Sequence, residues 1–329
     1  MRNAAILSCG MYVPEQRLPN AYFDKLLGED VSTWLEENLT IRQRFWSAEN
    51  ESTADLCENA ARKALAAAGI SAEQLDLLII ATDTPEYISP STAAVVQDRL
   101  GAKNAGTFDL NSACAGFVTA LDIAAKYIIA DDKYNHVLVI GGYAMSKYLD
   151  LTDKKTVTIF ADGAGAFLLG ATENPERGFL TSDLKSKGQY HDWMGVYGGG
   201  TKFPLTADRL AHKDHLLKFV KKFPKELNPE MWSTMIRDMA TRLHISPANV
   251  DHFFITQINI NSIFETLDLL EIPRERAHTV MDRYGYTGSA CIPMAFCDAV
   301  ESDKIKRGDL LFFVGSGGGL AFASAAFRY

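Results

Sequence analysis

Cys114 sits in Asn111-Ser-Ala-Cys-Ala-Gly-Phe117, ahead of the run 115–130, which is apolar nearly all round and therefore central to a core. A thiol that opens a helix faces backbone N–H groups with no partner, and their partial positive charge favours thiolate. The small neighbours Ala113, Ala115 and Gly116 leave room for a carbonyl to come close to the backbone. Residues of these types in this order suit a nucleophile that accepts an acyl group. The competing use of a free cysteine is as a small buried hydrophobe, and that reading is taken for Cys9, Cys57, Cys291 and Cys297.

Other residues with chemical potential follow short apolar runs. They are Thr256-Gln-Ile-Asn259, Tyr284-Gly-Tyr-Thr-Gly-Ser-Ala-Cys291 and Gly315-Ser-Gly-Gly-Gly319. Turns after strands are where α/β proteins place their sites. The elements that must position them repeat at long range. A helical stretch ending at the Ile70-Ser71 turn leads to the buried strand 77–80, and a second ending at Ile245-Ser246 leads to the strand 253–255. Each is followed by a helix (91–100; 261–270), a short strand (106–110; 277–281), another helix, and a strand that ends in glycine (137–142; 310–315). Continuous apolar strands alternating with helices imply sheets covered on both faces. The expected fold is α/β with two pseudo-twofold halves, 1–172 carrying Cys114 and 173–329.

Composition narrows the class. The 329 residues are 47% hydrophobic and 22% charged, enough for a core without disulfide or metal support. The five cysteines are odd in number and lack paired-ligand spacing, so neither a disulfide framework nor a metal site is expected. A formal charge of −8 argues against nucleic acid, the N-terminal stretch reads as a first strand rather than a signal or membrane segment, and a cytoplasmic location is expected. Lys218, Lys221, Lys222 and Lys225 form one basic cluster on an expected helix, either a phosphate contact or a solvated face. The segment 188–228 reads as a substrate lid or as a variable surface insertion.

The motif around Cys114, together with Ile159-Phe-Ala-Asp-Gly-Ala-Gly-Ala166 and the terminal glycine run, resembles the 3-oxoacyl-acyl-carrier-protein synthase III family of the thiolase superfamily. The resemblance extends to Tyr12-Val-Pro-Glu15, Thr33-Trp34, Ile41-Arg-Gln-Arg44 and Arg283-Tyr-Gly-Tyr-Thr-Gly288. It implies a five-layer αβαβα thiolase-like fold and an acyltransferase that holds its acyl group on Cys114. It also implies a homodimer, no tightly bound cofactor, and a donor thioester on coenzyme A or on the phosphopantetheine of an acyl carrier protein. An alternative is a degenerate subunit paired in a heterodimer with an intact homologue.

The family's catalytic histidine and asparagine fall on Thr256 and Tyr286, while the flanking Gln257, Asn259, Gly285 and Thr287 persist. The oxyanion hole falls on the Cys114 N–H and a backbone N–H of Gly317, Gly318 or Gly319. Trp34 is placed against adenine, Lys154 against phosphate, Asn259 beside the cofactor arm, and Ser89 in the neighbouring subunit's acyl pocket. A malonyl-type acceptor needs its enolate oxygen stabilised by the missing pair, so acyl loading is expected and condensation is in question. A non-decarboxylating O- or N-acyltransferase or a thioester hydrolase is the other reading.

Overall fold

The computed structural model describes residues 2–329, and two larger sheets organise it. In the first, the strands Asn3–Tyr12, Asp162–Thr172, His136–Ala144, Leu77–Ala81 and Gly106–Leu110 lie side by side in that order. In the second the order is Gly178–Ser186, Ala321–Arg328, Leu310–Gly317 and His252–Ile255, so the first four places match in chain order and direction of travel. The central strand Leu77–Ala81 is buried along its whole length and pairs in parallel with both neighbours, as its unbroken apolar sequence requires.

The fifth place in the second sheet departs from expectation. Residues 277–281 form a single bridge, Phe253 to Ala277, rather than a strand. The Gln257 amide donates to the His278 carbonyl (3.1 Å), and its oxygen accepts from the Val280 N–H (2.8 Å). Those backbone groups are therefore not free for a ladder, and Met281–Tyr284 turns into a short helix.

Helices separate and cover the sheets. Thr53–Ala68 packs on the first sheet, Leu227–Arg242 packs on the second, and Gly116–Ala130 touches strands of both. Cys291–Glu301 packs beside the latter against both sheets, which completes five layers of the αβαβα thiolase type. Among the described residues, Ala113–Ala130 alone is long and apolar enough to cross a bilayer, and 67% of it is buried inside the protein as a core helix.

Candidate active site

Cys114 lies within the turn Ala113–Ala115 that leads into Gly116–Ala130, and it is 4% exposed. Ala113 has φ 46°, a left-handed conformation that residues with a Cβ rarely adopt. The Ala113 N–H donates to Asn111 Oδ1 at 3.0 Å and the Ala115 N–H to the Ser112 carbonyl at 3.1 Å, which hold the kink. From the other half, Gly317 approaches so closely that a Cβ there would lie 2.5 Å from the Ser112 oxygen and 2.7 Å from the Cys114 nitrogen. Only glycine lets the 317–319 backbone run alongside the nucleophile. Gly318 and Gly319 then line the cavity that Cys114 opens into.

Tyr286 and Thr256 take different parts. Tyr286 is fully buried, and its hydroxyl hydrogen-bonds with the Cys114 thiol. Its backbone is fixed to the first half by Tyr286 N–H to Ile159 O (3.0 Å) and Ala161 N–H to Tyr286 O (2.9 Å). Burial pushes the phenol well above its ordinary range, so it stays protonated and able to donate. The Thr256 hydroxyl instead accepts from the Ser316 N–H at 2.9 Å and lies 3.4 Å from the Ser316 carbonyl. It braces the strand leading to the glycine run and lines neither cavity at Cys114.

The cavity at Cys114, about 270 Å³, is lined by Asp83, Asn111, Cys114, Tyr143, His191 and Tyr197 among others. An apolar annex of about 60 Å³ continues past Tyr286, Ile258 and Leu320. Asp83 was not singled out from sequence, and only its place two residues after the buried strand Leu77–Ala81 pointed to it. Its Oδ1 is shielded from solvent and has no hydrogen-bond partner among the described residues. Burial raises the carboxyl to about 6. The Cys114 thiol is held well above its usual range, first by burial and then by the charge of Asp83, while Tyr286 and the Cys114 backbone N–H pull it down. The helix terminus alone therefore does not make a thiolate here.

Comparison with known proteins bears on this constellation. The family description "3-Oxoacyl-[acyl-carrier-protein (ACP)] synthase III" matches residues 108–188, and its C-terminal counterpart matches 240–329. A beta-ketoacyl-[acyl-carrier-protein] synthase III of Aliarcobacter butzleri is 34% identical over 99% of this chain and 98% of its own length. The chain belongs to the 3-oxoacyl-acyl-carrier-protein synthase III family. It shares that family's chemistry of acyl transfer. A relative from Rhodospirillum centenum is 36% identical over 99% of both chains. The crystal structure of the Aquifex aeolicus synthase III superposes with a TM-score of 0.89 at 31% identity, covering 99% of this chain and 100% of that one.

The positions carried over from the synthase III resemblance lie apart from the thiol cavity. Trp34 is 53% exposed on the helix Ser32–Leu39. Lys154 pairs with Glu29 at 2.9 Å on the same rim, an exposed pair that costs little to open. Asn259 caps the helix Ile260–Asp268 by accepting from the Asn261 N–H at 3.0 Å, and the Asn261 amide donates to the Asn38 carbonyl, joining that helix to the one bearing Trp34. Ser89 is exposed between Ile88 and Pro90 and does not line this chain's own cavity.

Segment 188–228 covers the nucleophile rather than decorating the surface. Its strand Met194–Gly195 pairs with Lys218–Phe219, and His191, Met194, Val196, Tyr197 and Leu217 line the cavity. The lysines do not form a helix. Lys218 lies in that strand and pairs with Asp214 at 2.5 Å, Lys221 sits over the Trp193 ring, and Pro224 interrupts the remainder. His278, expected within a strand, lies after the lone bridge and pairs with Asp298 at 2.7 Å.

Proposed function

We propose that this protein takes an acyl group from a coenzyme A or carrier-protein thioester onto Cys114 and passes it to an acceptor, with the decarboxylating half of the family's reaction strongly weakened. The observation that carries the reading is Cys114 in a strained turn at the start of the central helix, between a substrate-sized cavity and the Gly317–Gly319 backbone. The thiolate attacks the donor carbonyl. The Cys114 N–H and an N–H of the glycine run receive the oxyanion, and the donor thiolate leaves. Tyr286 steadies the sulfur anion. No tightly bound cofactor takes part. Trp34 and Lys154 receive the adenine and phosphate of coenzyme A, with Asn259 on the same side, and Ser89 reaches the acyl pocket of a second copy in a homodimer. The halves 1–172 and 173–329 each supply one wall of the site.

A non-decarboxylating transfer to a hydroxyl or amine, or to water, is the second reading, and the engaged Thr256 hydroxyl favours it. Decarboxylation needs two hydrogen bonds aimed at one enolate oxygen, and loss of a single such donor costs about 3 kcal/mol. Here Thr256 is tied to Ser316 and Tyr286 is turned to the thiol.

Intact-mass spectrometry after exposure to a panel of acyl-coenzyme A and acyl-carrier-protein thioesters tests this. One acyl group per chain is expected on the wild type and none on Cys114→Ala. Equal loading of the two proteins would sink the proposal.

A further inference from the structure

One oxygen of the Asp83 carboxylate, Oδ1, has no hydrogen-bond partner among the described residues, and the hydrogen bond that tempers the group's raised pKa comes from its own backbone N–H. Asp83 follows the strand Leu77–Ala81 between two threonines that fix it firmly. The Thr84 N–H donates to Thr82 Oγ1 at 3.0 Å, the Ala144 N–H donates to Thr84 Oγ1 at 2.9 Å, and the Thr53 hydroxyl donates to the Thr84 carbonyl at 2.5 Å. Glu86, three residues on, is anchored to the Ser52 hydroxyl and the Ala54 N–H, both at 3.0 Å. The chain around Asp83 is thus rigid, yet Oδ1 is sealed from solvent without a hydrogen bond among the described residues, in the wall of the cavity that Cys114 shares. A buried acceptor left open costs on the order of 1–3 kcal/mol, more when charged, and such groups persist where they serve a function.

We propose that Asp83 is the proton acceptor and donor of this site, doing for acyl transfer what the family's histidine position no longer can. The proposal rests on Cys114 being the acylated residue. In loading, the Asp83 carboxylate takes the proton from the Cys114 thiol as sulfur bonds to the donor's acyl carbon. The bond from that carbon to the donor's sulfur breaks, and the departing thiolate takes the proton back from Asp83. In release, Asp83 takes the proton of an acceptor N–H, O–H or S–H as that atom bonds to the acyl carbon. The carbon–sulfur bond to Cys114 breaks, and the thiolate is reprotonated by Asp83. A fixed negative charge beside the thiol opposes a malonyl enolate forming there, so this relay suits acceptors that carry a transferable proton.

The titratable groups that share the cavity wall with Asp83 are Cys114 from the central helix, Tyr143 from the strand His136–Ala144, and His191 and Tyr197 from the covering segment, and its charge also reaches Tyr148 in the turn after that strand. Burial places the carboxyl at about 6, close to the working pH of a general base. Of these groups, His191 is the rival base.

Two rates separate the possibilities. Acyl-Cys114 formation from butyryl-coenzyme A is followed by rapid quench and intact mass between pH 5 and pH 8, and Cys114 alkylation by iodoacetamide is followed in parallel. The proteins are the wild type, Asp83→Asn, Asp83→Glu and His191→Gln. Wild-type loading should rise through about pH 6, where the carboxylate forms. Asp83→Asn should load about a hundredfold more slowly at pH 7 and lose that inflection. It should nevertheless be alkylated faster than the wild type, because a charge that disfavours thiolate has gone. Asp83→Glu should recover part of the rate, and His191→Gln should keep the inflection. Loading by Asp83→Asn at or above the wild-type rate overturns the proposal and makes Asp83 only a brake on the thiol. Loss of the inflection in His191→Gln overturns it in favour of that histidine. A wild type that forms no acyl-Cys114 overturns the acyl-enzyme reading itself, a result distinct from either.

Discussion

At the sulfur of Cys114, burial and the Asp83 charge raise the thiol's proton affinity, while the Tyr286 hydroxyl and the local backbone N–H lower it. Tyr286, at the position where the resemblance places an asparagine, thus acts on the nucleophile. Hydrogen bonds to charged groups contribute about 1.5–3 kcal/mol, or about one pKa unit or more. Tyr286→Phe should therefore raise the thiol pKa further, since a bond favouring the anion is lost, and slow iodoacetamide alkylation at pH 8 about tenfold. Unchanged alkylation would remove Tyr286 from the account. Cys114 was legible in the sequence because a helix-opening cysteine among small residues has a local signature. Asp83 was not, because a single carboxylate after a strand carries no spacing, and its significance lies in a missing partner that only the packed structure reveals. The part played by Thr256 was hidden for the complementary reason. Its hydroxyl is a donor by type, and its use was decided by Ser316, 60 residues further along.

Among the elements, the buried strands and the helices between them followed from apolar runs and helical periodicity, and the paired order of the two halves followed from their repetition. The misses are local and have named causes. Gln257 takes the backbone groups that strand 277–281 would need, and Pro224 and the pairing of Lys218–Phe219 with Met194–Gly195 prevent a lysine-rich helix. The loop 87–90 makes its own prediction. Tyr87 is 54% and Ile88 86% exposed on a segment whose start is fixed through Glu86. Such side chains on a firm loop fit burial against a second copy. Sedimentation at micromolar concentration should give a dimer, and Tyr87→Ser with Ile88→Ser should shift it towards monomer. A monomeric wild type would contradict the shared acyl pocket.

At the scale of the whole molecule, the synthase III scaffold is retained across essentially the full chain. One half supplies the turn that carries Cys114 and the other the glycine backbone beside it. By the resemblance, Thr256 and Tyr286 stand at the positions of the pair that would stabilise an enolate, and Asp83 lies in the wall of the cavity at Cys114. Acyl transfer is proposed to survive where decarboxylation does not. The most direct measurement loads Cys114 with a butyryl group and divides the acyl-enzyme between malonyl-coenzyme A and the thiol N-acetylcysteamine, recording carbon dioxide release and the fate of the butyryl group. Butyryl transfer to N-acetylcysteamine is expected, with carbon dioxide release slower by on the order of a hundredfold or more. Rapid carbon dioxide release, with 3-oxohexanoyl-coenzyme A as the main product, would contradict it.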